Sequence, residues 1–136
     1  MRAHTYPMSS YLDKVNWNED GLVPVVAQDV ESGRLLMQAW VNRESLQASV
    51  EEGRAVYWSR SRSKLWRKGE ESGNMQKLVD VYMDCDNDTL CFKVQQIGGI
   101  ACHTGRESCF FQKLENGEWE ASEPVLKDPT EIYGNS

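Results

Sequence analysis

The sequence predicts an α+β fold: a strand-rich single domain with one main amphipathic helix. Three observations carry this. At 136 residues with 40% hydrophobic side chains, the chain has the length of one domain and enough apolar material for a core. Its apolar runs of strand length come in pairs, with turn-forming residues between them. Only one stretch shows helical spacing between start and stop residues, so strands and helices do not alternate as an α/β fold requires.

Taken in order, residues 1–16 show no regular pattern and read as irregular, with His4 in a mobile end. Residues 22–28 and 34–40 are apolar runs joined by Asp29-Val30-Glu31-Ser32-Gly33, which predicts a hairpin. A helix follows: Asn42 is its N-cap, Leu46 and Val50 lie four apart on one face, and Gly53 ends it. Residues 55–59 predict a strand, and residues 75–83 and 90–97 a hairpin with an acidic connection. Residues 109–114 and 118–121 flank Asn116-Gly117, a two-residue hairpin turn signal. From Ser122 onward, Pro124, Pro129 and a closing Gly-Asn-Ser predict an irregular tail, leaving a core over about 22–121.

Composition narrows the function. Fifteen Lys and Arg against twenty-one Asp and Glu give a formal charge of −6, so most of the surface repels a long polyanion and nucleic acid is not an expected partner. No apolar stretch approaches a membrane span, and Met1-Arg2-Ala3-His4 is not followed by the apolar core of a signal peptide, so a cytoplasmic location is expected. In a reducing compartment the four cysteines are expected as thiols.

Asp84, Asp86 and Asp88 alternate with Cys85 and Asn87. In an extended strand the three carboxylates share a face about 7 Å apart, and each adjacent pair repels by roughly 0.6 kcal/mol in water, or about 2.4 at an effective dielectric of 20. A hard cation such as magnesium removes that cost. An EF-hand loop needs Gly and Glu where this chain has Thr89 and Gln95, so that reading fails. The competing reading is a solvated hairpin tip, for which Asp-Asn-Asp is ordinary turn chemistry.

Cys102 and Cys109 are spaced too widely for a zinc knuckle, and Cys85 lies well upstream. Three thiolates without an evident fourth ligand point to zinc with one position left to water, the arrangement of catalytic zinc. Cys91, inside Leu90-Cys91-Phe92, reads as a core residue and is excluded. His103 stands beside Cys102 and is read as a general acid/base; a fourth zinc ligand and an outer hydrogen-bonding partner are its other readings. Arg60, Arg62, Lys64, Arg67 and Lys68 form a basic run before Gly69 and Gly73, suited to wrapping phosphates; a solvated loop is the alternative.

Asp-Cys-Asp-x-Asp, the later Cys-His-Thr-Gly-x-x-Ser-Cys-Phe, and Trp66-Arg67-Lys68-Gly69-Glu70-Glu71-Ser72-Gly73 together resemble phosphoribosyl-AMP cyclohydrolase of histidine biosynthesis, over roughly residues 23–119. The resemblance implies magnesium at Asp84, Asp86 and Asp88. It implies zinc at Cys85, Cys102 and Cys109, shared across an intertwined homodimer. It also implies a reaction: water activated by zinc opens the adenine ring of N1-(5-phosphoribosyl)-AMP at the N1–C6 bond, with N1 departing where a deaminase would release ammonia. His103 then carries protons, with Glu70 a weaker candidate. Arg60, Arg62, Trp66, Arg67, Lys68, Glu70 and Ser72 are the expected substrate contacts. One departure is that residues 96–101 run one residue longer than the Gly-Pro-containing family version. Two rivals stand beside this: a binding module with a closed structural zinc site, and another zinc hydrolase or deaminase of purine nucleotides. The latter's His-x-Glu and Pro-Cys-x-x-Cys signature is absent.

Overall fold

A computed structural model describes residues 11–133; His4 and the rest of residues 1–10, and residues 134–136, lie outside it. The element order is strands β1 (Leu22–Asp29) and β2 (Leu35–Asn42), helix α1 (Arg43–Glu52), strands β3 (Val56–Ser59), β4 (Lys64–Arg67), β5 (Gln76–Met83), β6 (Leu90–Gln96), β7 (Gln112–Glu115) and β8 (Glu118–Ala121), and a short helix α2 (Pro129–Tyr133). The strand-rich α+β domain with one main helix is as expected.

The main sheet has the order β2-β1-β6-β5. β1–β2 and β5–β6 are the two expected antiparallel hairpins, and β1 runs parallel to β6, with Ala27 opposite Phe92. Period-two alternation selects the core face: Val23, Val25 and Ala27 of β1, and Leu90, Phe92 and Val94 of β6, are buried. Cys91 falls between them on the opposite side and is only half-buried, its Sγ 3.8 Å from Gln28 Oε1, so it is not the core residue expected. Leu12 and Val15 also enter the core, which therefore begins upstream of residue 22 although residues 11–17 are irregular.

α1 starts and stops where the sequence places it. Asn42 Oδ1 accepts from Ser45 N at 2.8 Å while Ser45 Oγ accepts from Asn42 N at 2.9 Å, a reciprocal cap, and Gly53 closes the helix. Ser49 Oγ donates to Val56 O at 3.0 Å and accepts from Val56 N at 2.9 Å, fastening α1 to β3.

β3 and β4 form a separate hairpin from a segment expected to be a strand followed by a basic loop. Tyr57 joins it to the main sheet, its ring centroid 5.1 Å from Trp66 and 5.8 Å from Phe92. β7 and β8 flank Asn116-Gly117 as expected, but β7 begins at Gln112; residues 109–111 are irregular, Cys109 N donating to Leu36 O of β2, Phe110 N to Ser108 Oγ, and Phe111 O accepting from Ser122 N. The tail read as irregular contains α2.

Candidate active site

The hairpin β3–β4 and the turn after it enclose a pocket of about 420 Å³, lined by Arg62, Trp66, Arg67, Lys68, Glu70 and Ser72 of the expected substrate contacts, with Ser59 and Lys64 besides. Gly69 makes the fold-back possible. Its φ is +91°, and a Cβ there would stand 2.3 Å from Met75 N, so the backbone crosses where no side chain fits. Gln96 Nε2 donates to Asn74 O at 2.8 Å and Gln76 Nε2 to Gln96 Oε1 at 2.9 Å, tying the far end of this turn to β6.

The cations of the basic run have different surroundings. Arg60 lies outside the pocket lining, its guanidinium 4.4 Å from the centre of the Trp40 ring. Arg67 lines the pocket but pairs bidentately with Glu52, at 2.8 and 2.6 Å, which raises its own pKa and holds the Glu52 carboxyl below its usual range. Lys68 is buried between the pocket and the next loop, where its Nζ donates to Ala101 O. Burial lowers its pKa, opposed by the nearby Cys109 and Cys102 sulfurs.

Those two thiols sit on a tight loop after β6. Cys102 N donates to Arg106 O at 3.1 Å, Gly105 N to Cys102 O at 2.9 Å, and Cys109 N to Leu36 O at 2.7 Å. Thr104 Oγ1 donates to Cys102 Sγ at 3.0 Å, orienting the sulfur. Cys109 is pushed up to about 12, first by surrounding atoms that displace water and then by Cys102, although its side chain keeps an open side. Two thiols sharing a site this way resist ionising together unless a cation replaces their protons. His103 projects from the same loop and is exposed.

The three aspartates converge as expected, but by a different geometry. Residues 84–88 form a turn with Asn87 at φ +64°, not an extended strand, and the turn gathers one carboxylate oxygen from each of Asp84, Asp86 and Asp88 within 4.8 Å of one another. Asn16 pins this turn, its N donating to Asn87 O at 2.7 Å and its Nδ2 to Asp86 O at 2.8 Å. Burial works to raise the Asp84 pKa, but backbone donors Asp88 N and Thr89 N, at 3.1 and 3.2 Å, help to hold it low. Asp86 is raised, chiefly by its contact with Asp88. Among the described residues this is the one group of three ligand-type side chains so close together: Cys85 is exposed and does not complete a three-sulfur cluster with Cys102 and Cys109 in one chain.

Thr104, Ser59 and the Asn16 clamp were not among the expected site residues. Thr104 stands inside the Cys-His-Thr-Gly motif and was legible from it; Asn16 lies far from any motif, and only the fold brings it to the aspartates.

Known proteins resemble this chain over most of its length. A family model described as phosphoribosyl-AMP cyclohydrolase matches residues 37–111. The chain is 63% identical over 124 residues to the phosphoribosyl-AMP cyclohydrolase of Stutzerimonas stutzeri (strain A1501), covering 91% of this chain and 95% of that protein. It is 61% identical over 126 residues to that of Azotobacter chroococcum mcd 1, covering 93% and 95%. The likeness to the Nitrosomonas europaea protein of the same name is 61% over 123 residues, covering 90% and 95%.

Proposed function

The chain belongs to the phosphoribosyl-AMP cyclohydrolase family, and from that premise we propose that it hydrolyses the N1–C6 bond of the adenine ring in N1-(5-phosphoribosyl)-AMP. It is a hydrolase acting in histidine biosynthesis. The observation that carries the mechanistic reading is the shared wall: Lys68 lines the basic pocket and, on its other side, its ammonium meets Ala101 O beside Cys102. In this reading a nucleotide with its phosphates on the pocket's cations turns its ring toward the thiol loop.

Both donor sets suit the expected metals. Asp84, Asp86 and Asp88 offer hard oxygens to magnesium, and Cys102 and Cys109 offer adjacent soft sulfurs to zinc. Cys85 of a second subunit is the proposed third sulfur. Zinc held there supplies a water acidified to near neutrality. The chain's residues do the rest. Arg62 and Lys64 receive phosphate, while Arg67, already paired with Glu52, contributes less. Trp66 offers a flat apolar face to a ring. His103 delivers a proton to N1 as the bond to C6 breaks, with Glu70 the second candidate. The cytoplasm, which keeps thiols reduced, is the proposed location; all four cysteines are free.

The test is metal content and turnover of two variants on phosphoribosyl-AMP. Cys102→Ala is expected to lose zinc and more than about 100-fold in activity together, whereas Asp84→Ala keeps most zinc and loses magnesium-dependent turnover. Full activity in Cys102→Ala would disprove the mechanism. Release of ammonia would favour the deaminase reading.

A further inference from the structure

The loop that carries Cys102, His103 and Cys109 is held from two sides, and only one belongs to the core. On the inner side, Cys109 N donates to Leu36 O at 2.7 Å, and Ser108 Oγ, fully buried, donates to Leu35 O at 2.7 Å. On the outer side lies the chain after β8, which the sequence presents as an irregular tail. Leu126 N and Lys127 N both donate to Gly105 O, at 2.8 and 3.3 Å. Arg106 Nε donates to Glu123 O at 2.9 Å while its guanidinium stacks 4.0 Å from the centre of the Phe111 ring. Arg34 bridges Glu107 of the loop, at 3.1 Å, and the Glu123 carboxylate.

We infer that residues 123–127 are a strap that fixes the thiol loop for metal binding, and that Gly105 and Glu123 are the positioning residues that seat it. Gly105 is the closest approach. Its φ is +89°, and a Cβ there would stand 1.9 Å from Lys127 O, a backbone atom that cannot swing aside. Any side chain at 105 must therefore push the strap off or distort the turn that follows Cys102. The mechanical logic is that of outer-shell support: a thiol pair binds metal well only if its backbone is already set at the required separation. Two peptide donors, one guanidinium on a peptide oxygen and one bridging guanidinium supply that rigidity without touching either sulfur.

The consequence for metal rests on the reading of Cys102 and Cys109 as ligands, whereas the strap itself does not, so two measurements separate them. The first is iodoacetamide labelling of the full-length, metal-stripped protein, with each cysteine followed by mass spectrometry. Cys102 is 5% exposed and is expected to label slowly relative to half-buried Cys91. Gly105→Ala is expected to raise the Cys102 to Cys91 rate ratio by about tenfold or more, and Glu123→Ala by about threefold, through local opening of the loop. An unchanged ratio in both variants overturns the strap. If Gly105→Ala labels all four cysteines together it has lost the fold, and Glu123→Ala then decides alone. The second measurement is zinc affinity by competition with a chromophoric chelator, expected to fall about tenfold or more in Gly105→Ala. Faster labelling with unchanged zinc affinity would overturn the positioning role. Unsubstituted protein that takes up no zinc would instead sink the ligand reading, with the labelling ratio still judging the strap.

Discussion

Tyr57 carries a hydroxyl into the fully buried interior, where Gln76 Oε1 accepts its proton at 2.6 Å and Gln76 Nε2 passes the chain of bonds to Gln96. Burial pushes the phenol far above its ordinary range, so it stays neutral and donates. Tyr57→Phe keeps the ring contacts with Trp66 and Phe92 but leaves Gln76 Oε1 without its donor. The expected cost is about 1–3 kcal/mol, read as a lower urea midpoint at unchanged slope; an unchanged midpoint would show that the hydroxyl contributes nothing. This network had no sequence signal, because one Tyr and one Gln on different strands share no spacing rule. The grouping of the aspartates and of Cys102 with Cys109 was legible because each set lies within one short stretch of sequence, so a single turn or loop brings its members together. Arg60 shows the limit of composition: it belongs to the basic run by sequence and to Trp40 by structure.

At the scale of elements, the turn joining β1 to β2 depends on one carboxylate. Asp29 Oδ2 accepts from Ser32 N at 2.8 Å and from Glu31 N at 3.1 Å. The Ser32 backbone donor is the largest cause of a lowered Asp29 pKa, ahead of an opposing effect of burial. A carboxylate with a depressed folded-state value stabilises the fold above its unfolded value of about 3.9 and loses that contribution as pH falls through the lower folded value. The stability gap between the unsubstituted chain and Asp29→Ala should therefore be widest near neutrality and narrow below pH about 3.9, measured by urea titration across pH. A gap independent of pH would assign the effect to turn propensity alone. This hairpin and both ends of α1 were legible because each is fixed by residues within a few positions of each other. The parallel pairing of β1 with β6 was not, since alternation marks both strands as half-buried without saying which neighbour each takes. The β3–β4 hairpin was hidden by its charge, which on an exposed hairpin is compatible with either strand or loop.

At the scale of the whole molecule, Cys102 and Cys109 share one loop while Cys85, the proposed third ligand, lies elsewhere in the chain. Cys85 sits exposed on the aspartate turn at the end of β5, and β5 is an edge of the main sheet whose Val79, Val81, Tyr82 and Met83 are all exposed. An apolar edge strand is a surface that proteins normally cover, and a second copy covering it is the arrangement proposed to bring Cys85 to the partner's Cys102 and Cys109. That arrangement makes a prediction that a single-chain site does not. Cys85→Ala and Cys102→Ala chains each form dimers with no complete sulfur set. A hybrid of the two has one site spoiled twice and one site intact, because the intact Cys85 of one chain meets the intact Cys102 and Cys109 of the other. Random exchange puts half the chains into hybrids, so an equal mixture should regain about a quarter of the unsubstituted activity and zinc content. The regain should appear only after subunit exchange, at the rate of exchange, and should be absent when either variant is mixed with itself. A mixture that stays inactive while native mass spectrometry, with one variant isotope-labelled, shows hybrids forming would place all the zinc ligands of a working site within one chain.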